Sequence, residues 1–181
     1  MNVDDSTRLR FELMTEKDAD LLFQLDQDPE VMRYITGGTM TTREEIRDTY
    51  VPRMQSYTQL ENGWGLWKIT VIESDEFIGW ILVRPMNFFT DSPEDNNLEV
   101  GWRLIRSARG KGYATDAAKA VMQAIELSGN CDRFSALAME DHQASINVMK
   151  KLGMRYLKSA LNVDPLGDTY CVYYQRDVRQ S

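Results

Sequence analysis

The sequence predicts one α/β domain over residues 1–181, a mixed sheet of about seven strands with helices on both faces. Three observations predict it. Hydrophobic periods of two and of 3.6 residues follow one another as strand, two helices, three strands, helix, strand, helix, two strands. The three successive strands between Trp64 and Ile105 are linked by polar segments, the pattern of an antiparallel meander. The strand–helix–strand unit that follows, from Leu98 to Met139, makes a parallel pair with a right-handed crossover. A chain of this length buries a core without covalent staples.

The elements follow in order. Arg8 to Met14 alternates polar and apolar and reads as a strand. Thr15 with Asp18 resembles a capping box, and Ala19, Leu22 and Phe23 follow at helical spacing. Asp28-Pro29 interrupts, and Gly37-Gly38 reads as a flexible break. A second helix starts at Thr41 or Thr42, each with a glutamate three residues later. Pro52 lies inside that run and is expected to kink it. Trp64–Ile72, Phe77–Val83 and Leu98–Ile105 are strands, with Asn87–Asn97 as a polar loop. On Leu98–Ile105, Val100, Trp102 and Leu104 share one face and Glu99, Gly101, Arg103 and Ile105 the other. Ala114, Ala117, Ala118, Val121 and Ile125 mark a helix, and Phe134–Met139 a short strand. Ala144, Val148 and Leu152 mark the last helix, closed by Gly153. Tyr156–Val163 and Thr169–Gln175 are strands around the turn Asp164-Pro165-Leu166-Gly167-Asp168.

The formal net charge of −7 argues against a nucleic-acid binder, which needs a basic stripe to displace counterions. It is compatible with a cationic substrate, or serves only solubility. Cys131 and Cys171 are far apart and His142 is the one histidine, so neither a disulfide framework nor a metal site is expected. Met1–Arg10 has no signal-peptide pattern and no apolar run approaches membrane-spanning length, so a cytoplasmic protein without membrane contact is expected.

Arg109-Gly110-Lys111-Gly112-Tyr113-Ala114-Thr115 stands at the mouth of the Ala-rich helix. It is not a P-loop, because Gly112 follows Gly110-Lys111 and Ile105 takes the place of the first glycine. It is not a dinucleotide fingerprint, because Thr115 takes the place of the third glycine. Glycines let consecutive backbone N–H groups turn inward, and a helix start adds free donors and a positive dipole end. Arg109 and Lys111 add full charges. Together these describe an anion cradle for a phosphate or pyrophosphate; the alternative is a tight strand-to-helix turn with incidental surface cations.

R-x-x-G-x-A at Arg109–Ala114 resembles the acetyl-CoA pyrophosphate motif, Q/R-x-x-G-x-G/A, of the GNAT superfamily of N-acetyltransferases. Glu99–Leu104 with Arg109–Ala117 is similar to its RimJ/RimL branch, which acetylates ribosomal-protein N-termini. Ala144-Ser145, Val148 and Lys151-Leu152-Gly153-Met154 resemble that branch's N-x-A-S-x-x-V-L-x-K-L-G-F/M pattern. There are departures. His142 stands where the branch has Asn beside the pantetheine, Arg106 where a Pro is frequent, and Met149 where many GNAT enzymes carry a proton-donating Tyr.

The resemblance implies a mostly antiparallel GNAT sheet with a splayed central parallel pair, and acetyl transfer from acetyl-CoA, a co-substrate, to a primary amine. The amine is a protein N-terminus or a small molecule, and no metal takes part. The alternative is a non-catalytic acyl-CoA-binding or sensory module on the same fold. The implied cofactor contacts are Trp102, Arg103 and Leu104 along the pantetheine arm, Arg109 to Thr115 at the pyrophosphate, and His142 and Ser145. A backbone N–H of Trp102 or Leu104 polarises the thioester carbonyl. Glu99 is the base, directly or through water, or else a strand carboxylate paired with a cation. Ser145 protonates the thiolate, or else bonds to its own helix backbone; His142 is a substitute donor. Tyr34–Thr39, the second helix and the Asp164–Asp168 turn are expected to form the acceptor pocket. Asp164 and Asp168 either attract an amine or belong to an ordinary hairpin turn. The acetylase family leaves a homodimer open.

Overall fold

The computed structural model describes residues 1–178. Its strands are β1 (Leu9–Leu13), β2 (Gly65–Val71), β3 (Glu76–Met86), β4 (Glu94–Leu104), β5 (Arg133–Ala138), β6 (Arg155–Asn162) and β7 (Thr169–Asp177). They form one seven-stranded sheet in the order β1-β2-β3-β4-β5-β7-β6. Every neighbouring pair is antiparallel except β4 with β5.

The parallel pair is a fork. β4 and β5 are in register only at Asn97–Arg133, Leu98–Phe134 and Glu99–Ser135. Beyond Glu99 the two strands part, leaving Val100–Leu104 and Ala136–Ala138 unpaired with each other. A buried polar chain fixes the point of parting. Ser135 Oγ donates to Asn97 Oδ1 at 2.7 Å and accepts from Gln175 Nε2 at 3.1 Å. Buried groups so connected hold one geometry, because any shift leaves a donor or acceptor without water.

Helices cover both faces. α1 (Ala19–Leu25) and α4 (Val51–Tyr57) bury Leu22, Val51, Met54 and Tyr57 against Leu66 and Leu82. On the other face, α5 (Tyr113–Ser128) and α6 (Gln143–Lys151) bury Ala117, Val121, Met122, Ile125 and Met149 against Ile69, Ile81, Leu98, Val100 and Phe134.

Four local expectations are corrected or narrowed. Asp28-Pro29 starts a helix, α2 (Pro29–Thr36), instead of interrupting one. Asp28 accepts from the Glu30 N–H at 2.9 Å, Pro29 occupies the first turn where its missing donor costs nothing, and Gly37 closes the helix at φ 73°. The next helical run starts at α3 (Arg43–Glu45), with Thr42, not Thr41, as its cap. Thr42 and Glu45 form the reciprocal box, while Thr41 is buried and donates to Asp26. The expected break at Pro52 takes the form of a π-helical stretch, Ile46–Tyr50, ahead of α4. Wider winding moves the carbonyl that the proline ring would crowd. Finally, β4 begins at Glu94, inside the expected loop, and Phe88 and Phe89 pack edge-on against Tyr57.

Gly79 faces Leu104 across β3 and β4 at φ 144°. A Cβ there would lie 2.0 Å from the Arg103 carbonyl oxygen, so only glycine lets β3 approach the end of β4. Among the described residues no helix is long and apolar enough to cross a membrane. Nor does any His, Cys, Asp and Glu cluster among them suit a metal ion.

Candidate active site

The fork opens into a cavity of about 590 Å³. β4 supplies Glu99, Trp102, Arg103 and Leu104 to its wall, and α6 supplies Ala144, Ser145 and Val148. The glycine loop supplies Arg109, Gly110 and Gly112, and the first turn of α5 supplies Tyr113, Ala114 and Thr115. Residues chosen from two separate sequence stretches thus share one space.

The cradle follows from backbone geometry. Gly110 and Gly112 have φ of 73° and 78°, the left-handed region that side-chain-bearing residues rarely enter. Gly112 is the N-cap of α5 and, having no side chain, caps nothing, so the first-turn N–H groups stay open to an incoming acceptor. The sixteen-residue helix behind them adds its positive dipole end.

Two expected cradle cations behave differently. The Arg109 guanidinium reaches the Glu30 carbonyl of α2 at 3.4 Å and borders the cavity. Lys111, between the two lining glycines, is exposed and is not part of the cavity wall. Its carbonyl instead accepts from Arg8 at 2.9 Å, and Arg8 also pairs with Asp116 and lies over the Tyr113 ring. Arg8 therefore staples the loop to α5, a part that nothing in the local pattern of β1 announces.

His142 is the N-cap residue of α6 and stacks on Tyr34 of α2, with ring centroids 4.0 Å apart and planes 8° from parallel. Burial, with Arg109 nearby, holds its pKa below the usual value. It is neutral at pH 7, a poor proton donor there. Tyr34, Val31 and Ile35 of α2 also line the cavity. Tyr34 and Ile35 lay in the expected acceptor region, but Val31 was missed because the helix was.

Glu99 and Arg84 form a half-hidden ion pair, Oε2 to Nε 2.8 Å, with side chains 12% and 11% exposed. The strand-carboxylate reading of Glu99 is therefore present in the structure. Its Oε1 has no hydrogen-bond partner among the described residues. Arg103, by contrast, turns its side chain to Asp26 at 2.6 Å, tying β4 to the end of α1 and leaving its backbone at the fork. Asp164 pairs with Arg53, and Asp168 accepts from the Asp164 N–H at 3.1 Å. Asp164 is thereby taken up in anchoring the turn, while the exposed Asp168 has no cationic partner among the described residues. Burial pushes the Tyr57 phenol, close to Arg84, up to about 12.

Ser145 lies in the first turn of α6, 9% exposed, and accepts from the Trp102 indole N–H at 3.0 Å. Trp102 thus does more than fill the core. Its ring packs on the core and its nitrogen meets the serine.

The comparisons with known proteins agree with this architecture. The family described as an acetyltransferase (GNAT) domain matches residues 8–155. The uncharacterized N-acetyltransferase p20 of Bacillus licheniformis is 30% identical over 148 residues, 82% of this chain and 79% of that protein. A GNAT-family acetyltransferase from Bacillus anthracis superposes with a TM-score of 0.76 at 23% identity, covering 98% of each chain. RimL, a ribosomal L7/L12 α-N-protein acetyltransferase in complex with coenzyme A, gives 0.75 at 20% identity, again over 98% of each chain. The family match across most of the sequence, on a forked seven-stranded sheet, places this chain in the GNAT acetyltransferase family.

Proposed function

We propose that the protein transfers the acetyl group of acetyl-CoA to a primary amine, a peptide N-terminus or a small-molecule amine, by direct attack on the thioester. One observation carries this reading. A single cavity joins an uncapped helix start behind two left-handed glycines to a proton-donor candidate, Ser145, through the gap between β4 and β5. A pyrophosphate fits the first end, because open backbone donors and the helix dipole favour an anion. An extended thiol arm fits the gap, where the backbone groups of Val100–Leu104 that face away from β3 have no β5 partner.

The residues then divide the chemistry. Arg109, Lys111 and the N–H groups of Gly110 to Thr115 hold the pyrophosphate. Trp102, Arg103 and Leu104 run along the pantetheine, and one of their N–H groups polarises the carbonyl. His142, held against Tyr34, walls the arm. Holding the amine beside the thioester supplies much of the acceleration, since the thioester is already activated. Glu99, fixed by Arg84 through one oxygen, offers the other to the acceptor ammonium, directly or through water. The amine attacks, the tetrahedral oxyanion collapses, the C–S bond breaks, and Ser145 protonates the departing sulfur.

The RimJ/RimL-like motifs and the superposition on RimL support a peptide N-terminus among the acceptors. Isothermal titration with CoA tests the donor half. A one-to-one complex with a micromolar Kd is expected; no heat at millimolar CoA overturns the reading.

A further inference from the structure

Trp102 and Ser145 come from different elements, β4 and α6, on the two sides of the fork. Their hydrogen bond, at 3.0 Å, has only one possible sense. An indole nitrogen donates and never accepts, so the Ser145 oxygen must be the acceptor. That fixes the serine's remaining freedom. Its hydroxyl hydrogen has to find another partner, and in a first helical turn that partner is ordinarily a backbone carbonyl. No carbonyl accepts from Ser145 among the described residues. The cap position of α6 is taken by His142, which makes no side-chain cap bond either, so Ser145 is not drawn into a capping arrangement. The serine is nearly buried, yet lines the cavity. Its hydrogen is therefore free to point only where a ligand would lie.

We propose that Trp102 is a positioning residue for proton transfer: its indole N–H holds the Ser145 oxygen so that the hydroxyl hydrogen faces the cavity and is delivered to the leaving thiolate. This rests on the reading of Ser145 as the proton donor. As the C–S bond breaks, its electron pair moves to sulfur and the hydroxyl proton follows. The indole N–H stabilises the serine oxygen while it carries negative charge. The oxygen regains a proton, by way of solvent, from the acylated nitrogen, so the products are the amide and the free thiol. Trp102 touches neither reactant with its nitrogen; it acts through Ser145.

The bond itself is read by NMR. The Trp102 Nε1–H resonance, assigned by its loss in Trp102→Phe, is expected to move upfield in Ser145→Ala; an unmoved resonance overturns the proposal. The kinetic test uses Trp102→Phe, which keeps an aromatic ring and removes the N–H, with Ser145→Ala and the double variant. In Trp102→Phe, kcat is expected to fall about tenfold, a fraction of the usual general-acid contribution, with KM for acetyl-CoA and CoA Kd within twofold. The double variant is expected to match Ser145→Ala, because a positioner without its serine has nothing to position. Additive losses overturn the proposal. So does a Trp102→Phe loss confined to KM, which marks packing instead. If Trp102→Phe does not fold, the Trp102 resonance is assigned in the unmodified protein from its through-space contacts, and Ser145→Ala alone decides: an upfield move supports the assignment and an unmoved resonance refutes it. Full kcat in Ser145→Ala sinks the underlying role of the serine. A deficient Ser145→Ala beside a fully active Trp102→Phe sinks the positioning role alone.

Discussion

Replacing Gly112 with leucine separates binding from stability. Gly112 sits at φ 78° with a Cβ's nearest neighbour, Arg8 Nη2, at 3.5 Å, an ordinary contact. The cost in the free protein is therefore conformational, about 1–2 kcal/mol for an L-residue in the left-handed region. In a domain of this size that lowers the melting temperature by roughly 2–8 °C. The leucine side chain must then enter the cradle or displace Arg8, and the pyrophosphate loses its close approach to the backbone donors. CoA Kd should rise at least about tenfold, or ~1.4 kcal/mol. Gly129 is the internal control. It ends the same helix at φ 73° with nothing within 4 Å, so Gly129→Leu bears the same strain far from the cradle. Thermal melts and calorimetric titration of both variants decide the matter. Equal losses of stability with CoA affinity lost only in Gly112→Leu support the cradle; unchanged CoA affinity in both refutes it.

Other outcomes follow from the same geometry. Gly79→Ala drives a Cβ onto the backbone of Arg103 and Leu104, at 2.0 and 2.8 Å; a loss of at least about 3 kcal/mol is expected in chemical denaturation, because backbone on both strands must move. Glu99→Gln leaves Arg84 without its countercharge at 11% exposure, so the melt should fall together with kcat, while Arg84→Met with Glu99→Gln should recover the melt but not the rate. His142 has a depressed folded pKa. The unfolded chain then binds the proton first, so this contribution to stability is complete above the unfolded value near 6.5 and declines as pH falls below it. NMR titration should place His142 below that value, and Arg109→Gln should move it up. Thr42→Ala removes one half of a reciprocal cap and should cost about 1 kcal/mol in thermal unfolding.

Much of this fold is legible in the sequence because period and cap chemistry speak locally. The meander, the crossover and the Thr15 and Thr42 caps are each written in a few neighbouring residues. α2 escaped because Asp28-Pro29 and Gly37-Gly38 read equally well as the two ends of a loop and the two ends of a short helix. Only its packing through Val31 and Met32 distinguishes them. Pro52 signalled an irregularity, but local sequence does not say whether a kink or a π turn absorbs it. At the site, the glycine loop and the Ser145 helix declare themselves by motif. Their meeting does not, since the parting of β4 from β5 depends on the distant contacts of Asn97, Ser135 and Gln175. For the same reason the partners that decide roles were invisible. Arg84 beside Glu99, Tyr34 beside His142, Arg8 under the glycine loop and Trp102 on Ser145 are all long-range in sequence. The acidic turn reads locally either as amine binding or as an ordinary hairpin, and the pairing of Asp164 with Arg53 is again long-range in sequence.

The central claim is that this cavity brings acetyl-CoA and an amine together. It is tested most directly by following the free thiol of CoA with a thiol reagent, with and without candidate amines. Cys131 and Cys171 are buried, and burial pushes the Cys131 thiol up to about 11, so the protein's own thiols contribute little signal. The account predicts saturable thiol release that requires an added amine, seen across a panel of N-terminal peptides, amino acids and polyamines, with matching acetylated product by mass. Tight CoA binding with no amine-dependent release on any member of that panel would contradict it and leave an acyl-CoA sensor in its place.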